Sequence, residues 1–134
     1  MIDKKASHIL AVDDQENWRM LIKAILEEEG YRVSTASSYN EATTLLKDTS
    51  FDAVILDMRL IDSQSYNVQG MALLKQVKED APTTGAIILT GYPDPVHKDK
   101  ALNTYKADAY IEKAPVVGGF DIAGFIQLVR HLTR

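Results

Sequence analysis

The sequence predicts a three-layer α/β domain, an open parallel sheet of five strands with helices packed on both faces. Three observations carry this. Five short apolar runs rich in β-branched residues alternate strictly with five stretches of helical period, and such alternation implies right-handed crossovers and parallel strands. The three central runs are apolar throughout, as strands buried on both sides are. At 134 residues, 46% hydrophobic and 25% charged, the chain suits one globular domain that buries a core without metals or disulfides.

The first run is His8-Ile9-Leu10-Ala11-Val12. Trp18, Leu21, Ile22, Ile25 and Leu26 then repeat at i, i+3, i+4, i+7 and i+8, which predicts a helix with one apolar stripe ending at Gly30. Tyr31-Arg32-Val33-Ser34-Thr35 alternates, as an edge strand does. Ser38 and Glu41 have the spacing of a capping box, opening a helix that buries Ala42, Leu45 and Leu46. The third run is Ala53-Val54-Ile55-Leu56, followed by a helix marked by Met71, Leu74 and Val77. After Ala86-Ile87-Ile88-Leu89 comes a weaker helix, begun near Pro95 and marked by Ala101, Leu102 and Tyr105. Ala109-Tyr110-Ile111 is the fifth run, and Phe120, Ile122, Phe125, Ile126 and Val129 predict a last helix running to the end of the chain.

Composition excludes several functions. Fifteen basic against nineteen acidic residues give a net charge of −4, which argues against a general nucleic-acid or membrane-surface binder. With no cysteine there is no disulfide, thiolate metal site or cysteine nucleophile. No run approaches the ~18 apolar residues of a membrane span, and no apolar signal core follows Met1, so a cytoplasmic location is expected. No G-x-x-x-x-G-K-[ST] occurs, which removes P-loop nucleotide chemistry. His8, His97 and His131 have no metal-ligand spacing.

The chemistry is carried by the strand ends. Open parallel sheets bind ligands at the carboxyl edge of their strands. The first run ends in Asp13-Asp14, the third in Asp57, the fourth in Thr90 and the fifth in Glu112-Lys113. Three carboxylates crowded together repel, and a pKa rises unless a cation intervenes. Mg²⁺ suits a site with few protein carboxylates that water and phosphate oxygens complete. Lys113 adds a mobile positive charge and Thr90 a hydroxyl donor. Together these are the needs of a phosphoryl group, whose transfer depends on positioning and charge neutralisation. A carboxylate held there can be the nucleophile and form an aspartyl phosphate.

These residues resemble the receiver domains of two-component response regulators, over essentially the whole chain from His8 to about Leu132. The resemblance rests on Asp13-Asp14, Asp57, Thr90-Gly91 and Lys113, in order and at family-like spacing. It implies a flavodoxin-like (βα)5 fold with strand order 2-1-3-4-5, in one receiver domain over residues 1–134 with no output domain in this chain. It implies Asp57 as phosphoacceptor. Asp14 would be the direct Mg²⁺ ligand, with Asp13 acting largely through water, and Asp57 and the backbone carbonyl of Arg59 completing the metal set. Thr90 and Lys113 would bind phosphoryl oxygens. Thr90 and Tyr110 would form the switch that biases the surface of the fourth helix, fifth strand and fifth helix. The implied phosphodonor is a sensor histidine kinase or histidine phosphotransfer protein, and that surface would meet a downstream protein target. The chain would be a monomer or weak dimer, with no direct nucleic-acid or membrane partner, and not a turnover enzyme. Trp18 and Gln15, just past the acidic pair, are candidate partner contacts. Arg59, two residues beyond Asp57, is either solvated or leans over the phosphoryl group and affects its hydrolysis.

Three departures from the family pattern stand out. Proline usually follows the lysine directly, whereas here the order is Lys113-Ala114-Pro115, and a cis Lys113–Ala114 bond, costing ~3 kcal/mol, is not expected. The loop after Asp57 reaches its glycine late, at Gly70, with Ile61 to Gln69 as an apparent insertion of about five residues. Lys106 stands where a glycine commonly ends the fourth helix, at a small expected cost in stability.

Two other readings share part of the pattern. A degenerate receiver would be a phosphorylation-independent interaction module. The displaced proline and long loop favour it, and the presence of all five site residues counts against it. A Mg²⁺-dependent aspartyl-phosphate hydrolase of the haloacid-dehalogenase type carries a second Asp two residues after a nucleophile on the first strand. Here Gln15 holds that place, and the chain has no room for a cap domain.

Overall fold

The computed structural model describes residues 6–61, 63–113 and 119–134. Its five strands, β1 (His8–Val12), β2 (Arg32–Ala36), β3 (Ala53–Leu56), β4 (Gly85–Thr90) and β5 (Ala109–Glu112), form one sheet in the order β2-β1-β3-β4-β5. Every neighbouring pair is parallel. The helices are α1 (Glu16–Glu28), α2 (Tyr39–Asp48), α3 (Gln69–Asp80), α4 (Pro95–Asp99) and α5 (Ile122–Leu132). This is the three-layer α/β domain expected from the strand–helix alternation, with the flavodoxin-like strand order that the family resemblance implied.

The period of two along each strand divides the interior into two cores. Leu10, Val12, Val54, Leu56, Ala86 and Ile88 pack with Ala42 of α2 and Leu73 and Leu74 of α3. Ile9, Ala11, Ile55, Ile87 and Leu89 pack on the other face with Ile22 and Leu26 of α1 and Phe125 and Val129 of α5. Doubly covered strands have no solvent face to satisfy, which is why β3 and β4 are buried along their whole length.

Several local expectations are corrected. The apolar stripe of α1 is narrower than the period suggests: Ile22 and Leu26 are buried, whereas Leu21 is 37% exposed. The helix meets the sheet along one i, i+4 line, and Leu21 lies at the edge of that contact. The α2 cap is half a capping box. Ser38 Oγ accepts from the Glu41 N–H at 3.2 Å, but the Glu41 carboxylate reaches one residue further back and accepts from the Ser37 N–H at 2.8 Å. That bond and the Ser37 hydroxyl hold the Glu41 carboxyl below its usual pKa. The fourth helix is one short α-helical stretch, N-capped by Asp94, continued by a π-helical turn over Lys100–Thr104 that buries Ala101. At α5, Phe120 lies before the helix, Ile122 is 43% exposed, and the helix stops at Leu132 rather than at the chain end. Asp121 is the N-cap there, its side chain accepting from the Gly124 N–H at 2.9 Å. Lys106 has a left-handed backbone, φ 64°, so the position that suits glycine is indeed under strain.

Candidate functional site

Register brings the site together. Val12 pairs with Ala36 on one side and Leu56 on the other, so Asp13 and Asp57, each one residue further on, leave the sheet side by side. On the other flank Thr90 pairs with Glu112, placing Lys113 one step past that pair. Three backbone hydrogen bonds carry the sheet ladder one residue beyond its strands. Asp13 N–H donates to Ala36 at 3.1 Å, Asp57 N–H to Val12 at 2.9 Å, and Lys113 N–H to Thr90 at 2.8 Å. The chemistry-bearing residues are therefore held by the sheet itself and not by loose loops.

Each of Asp13, Asp14 and Asp57 offers an oxygen within 4.8 Å of the others. Asp57 is 4% exposed and Lys113 5%, and Oδ1 of Asp14 is shut off from solvent. Lys113 Nζ lies 2.7 Å from Asp13 Oδ2 and 3.4 Å from Asp57 Oδ2. One ammonium faces three carboxylates, so negative charge is in excess. Burial, and next the Asp13 charge, push the Asp57 carboxyl up to about 8; Lys113 pulls against this and Asp14 adds to it. Clustered hard oxygen donors with surplus negative charge fit a divalent cation such as Mg²⁺. Asp13 is further fixed by the Gln15 N–H, which donates to its Oδ1 at 2.9 Å, and by the Arg19 guanidinium, which donates to its carbonyl at 2.8 Å.

The remaining predicted residues each have contacts of their own. Thr90 is fully buried, and its Oγ1 accepts from the Tyr92 N–H at 3.0 Å, which leaves the hydroxyl hydrogen for another acceptor. Tyr110 is half-buried against the α2–α3 core. Its hydroxyl accepts from the Asp94 N–H at 3.2 Å, tying β5 to the start of α4, and burial raises its pKa. Trp18 packs edge-on to Phe120 with ring centroids 5.5 Å apart. Gln15 is the N-cap of α1 without a side-chain cap bond. The Arg59 guanidinium stacks over the Tyr92 ring, 3.4 Å from its centroid, so this side chain is packed and not simply solvated. Ala114 and Pro115, including the Lys113–Ala114 bond, lie outside the described residues, as does Asp62 in the loop.

Two side chains escaped the sequence reading, and so did the contact made by Gly70, the glycine already singled out in the loop. Tyr92 is the stacking partner of Arg59; the signal was its place two residues after Thr90, matching that of Arg59 two after Asp57. Asn67 clamps the long loop. Its Oδ1 accepts from the N–H of Leu60 and of Gln69, both at 3.1 Å, and its Nδ2 donates to Gln64 at 3.1 Å. Gly70 touches the backbone of Asp57, with its N–H donating to Met58 at 3.0 Å. Between the two loop segments that Asn67 holds, Tyr66 is 78% exposed, while Gly70 lies against the Asp57 backbone.

The family model of the response regulator receiver domain matches residues 9–116. A putative NtrX-like response regulator of Rickettsia bellii is 35% identical over 107 residues, covering 78% of this chain and 21% of that protein. The chain thus spans about a fifth of the length of the curated relatives it matches. Among solved structures, a response regulator receiver domain protein from Methanospirillum hungatei superposes with a TM-score of 0.80 at 25% identity, covering 95% of this chain and 93% of that one. The response regulator TrrA of Thermotoga maritima, solved in complex with Mg²⁺-BeF, superposes with a TM-score of 0.73 at 29% identity, covering 94% and 98%. No helix among the described residues is long and apolar enough to cross a membrane.

Proposed function

The chain belongs to the response regulator receiver domain family of two-component systems, and we propose that it is a phospho-switch whose acceptor is Asp57. One observation carries the reading: three carboxylates within 4.8 Å of one another, with a buried lysine bridging two of them at 2.7 and 3.4 Å. In the proposed reaction a carboxylate oxygen of Asp57 attacks the phosphorus of a phosphohistidine. The new O–P bond forms as the P–N bond breaks, and the imidazole leaves as the neutral ring, its nitrogen taking a proton from water. Asp57 must be ionised to attack, and Lys113 favours that form. Lys113 then turns from Asp13 toward a phosphoryl oxygen, and the Thr90 hydroxyl donates to another. Asp13, Asp14, Asp57 and the backbone carbonyl of Arg59 would hold Mg²⁺, which supplies the positive charge that Lys113 alone does not. The Mg²⁺-BeF complex of the Thermotoga maritima relative supports this choice of ion.

Drawing Thr90 inward would disturb its bond to the Tyr92 N–H, and Tyr92 opens the segment that leads to Asp94. Asp94 in turn is bonded to Tyr110, so this short chain of contacts supports a switch at the α4-β5-α5 surface. The stacked pair Arg59–Tyr92 would shield the aspartyl phosphate from water, a role supported by the 3.4 Å stack and by the place of Arg59 two residues after Asp57. Within this proposal residues 1–134 form a single cytoplasmic receiver domain, a monomer or weak dimer. Its phosphodonor is a sensor histidine kinase or histidine phosphotransfer protein, and its output is a protein contact; Trp18 and Gln15 are candidate docking residues. It modifies itself and does not turn over substrate.

The test is labelling by a small phosphodonor in the presence of Mg²⁺. Asp57→Asn abolishes the label if the assignment holds; label at full stoichiometry in that variant overturns it. A wild-type chain that takes no label would instead make this an interaction module.

A further inference from the structure

We propose that Trp18 is a positioning residue for Lys113, its ring backing the ammonium and confining it to the space between Asp13 and Asp57. The contact stands on geometry; its consequence for phosphorylation rests on the reading of Asp57 as acceptor. Lys113 Nζ lies 5.2 Å from the centroid of the Trp18 ring, inside the ~6 Å range of cation–π attraction. The same atom is 2.7 Å from Asp13 and 3.4 Å from Asp57, and the lysine side chain is 6% exposed. Attraction to a π face strengthens when the cation is desolvated.

The ring is itself braced. Phe120 meets it edge-on at 5.5 Å and packs on Phe125 at 5.4 Å, and Phe125 is buried in the core shared by α1 and α5. A lysine has a long, flexible stem that loses much rotamer freedom when held. Here two carboxylates hold it on one side and an aromatic wall on the other. The move from Asp13 to a phosphoryl group on Asp57 then becomes a short swing along a closed path. A leucine at this position stays apolar but is smaller and does not attract the ammonium, so the comparison with and without Lys113 is what separates the electrostatic role from packing.

The experiment measures the rate at which a small phosphodonor with Mg²⁺ labels Asp57 in the wild type, Trp18→Leu and Trp18→Phe, each also in a Lys113→Gln background. Trp18→Leu is expected to slow labelling about three- to tenfold, and Trp18→Phe to recover most of that loss. In the Lys113→Gln background the Trp and Leu forms label at the same rate. Unchanged labelling in Trp18→Leu, or an equal loss with and without the lysine, overturns the proposal. Trp18 is the single tryptophan, so its emission reads the contact directly and needs no Trp18→Leu protein. Lys113→Gln is expected to change its intensity, and an unchanged spectrum also overturns the proposal. If the wild type takes no label, the acceptor reading falls, while the fluorescence measurement still decides whether Trp18 and Lys113 touch.

Discussion

Gly70 sits so close to the Asp57 carbonyl that a Cβ added to it would stand 2.0 Å from that oxygen. The neighbour is backbone, held in the sheet, and it cannot give way as the tip of a side chain would. Gly70→Ala is therefore expected to destabilise the fold by about 2–4 kcal/mol and to weaken labelling of Asp57 by moving its backbone. Chemical denaturation, compared with Gly91→Ala, checks this; Gly91 has room, with its nearest contact 3.7 Å away in the lysine side chain. Equal stability of the two variants would refute it.

The metal-free protein should lose stability as pH rises. Asp57 in the folded state is raised to about 8 from an ordinary 3.8, so between these values the native state holds a proton that the unfolded chain has released. Stability then falls with increasing pH across that window. Thermal melts in chelator from pH 4 to pH 8 should show the decline, and Asp57→Asn should flatten it. A flat wild-type profile would contradict the burial argument.

Lys106 has φ 64°, a conformation that costs a side chain roughly 1–2 kcal/mol. Glycine adopts it freely but gives up more entropy on folding. Lys106→Gly is expected to gain about 0.5–1 kcal/mol in net stability, seen as a higher Tm with unchanged labelling.

Arg59 and Tyr92 stack at 3.4 Å. Removing either partner should open the approach of water to the acyl phosphate. Both Arg59→Ala and Tyr92→Ala are expected to shorten its half-life by about two- to fivefold. The decay of labelled protein measures this, and an unaltered half-life in both variants would end the idea.

Much of this molecule was legible in its sequence. The runs Ala53–Leu56 and Ala86–Leu89 announce doubly covered strands; Thr90 closes its strand, and Asp13, Asp57 and Lys113 each follow one, because the change from apolar to polar marks where a strand ends. Asp94 and Asp121 were overlooked as helix caps, since each precedes only a weak or interrupted apolar period.

Periodicity and the point where each strand ends are local properties, and in a parallel sheet they suffice to place five polar side chains along one edge. Which atoms then meet depends on distances between elements far apart in the chain. Tertiary structure alone decided that Lys113 rests nearer Asp13 than Asp57, that Trp18 backs it, and that Arg59 lies on Tyr92. It also decided that Leu21 and Ile122, apolar and in period, stay exposed, because a helix buries only the line along which it touches the sheet.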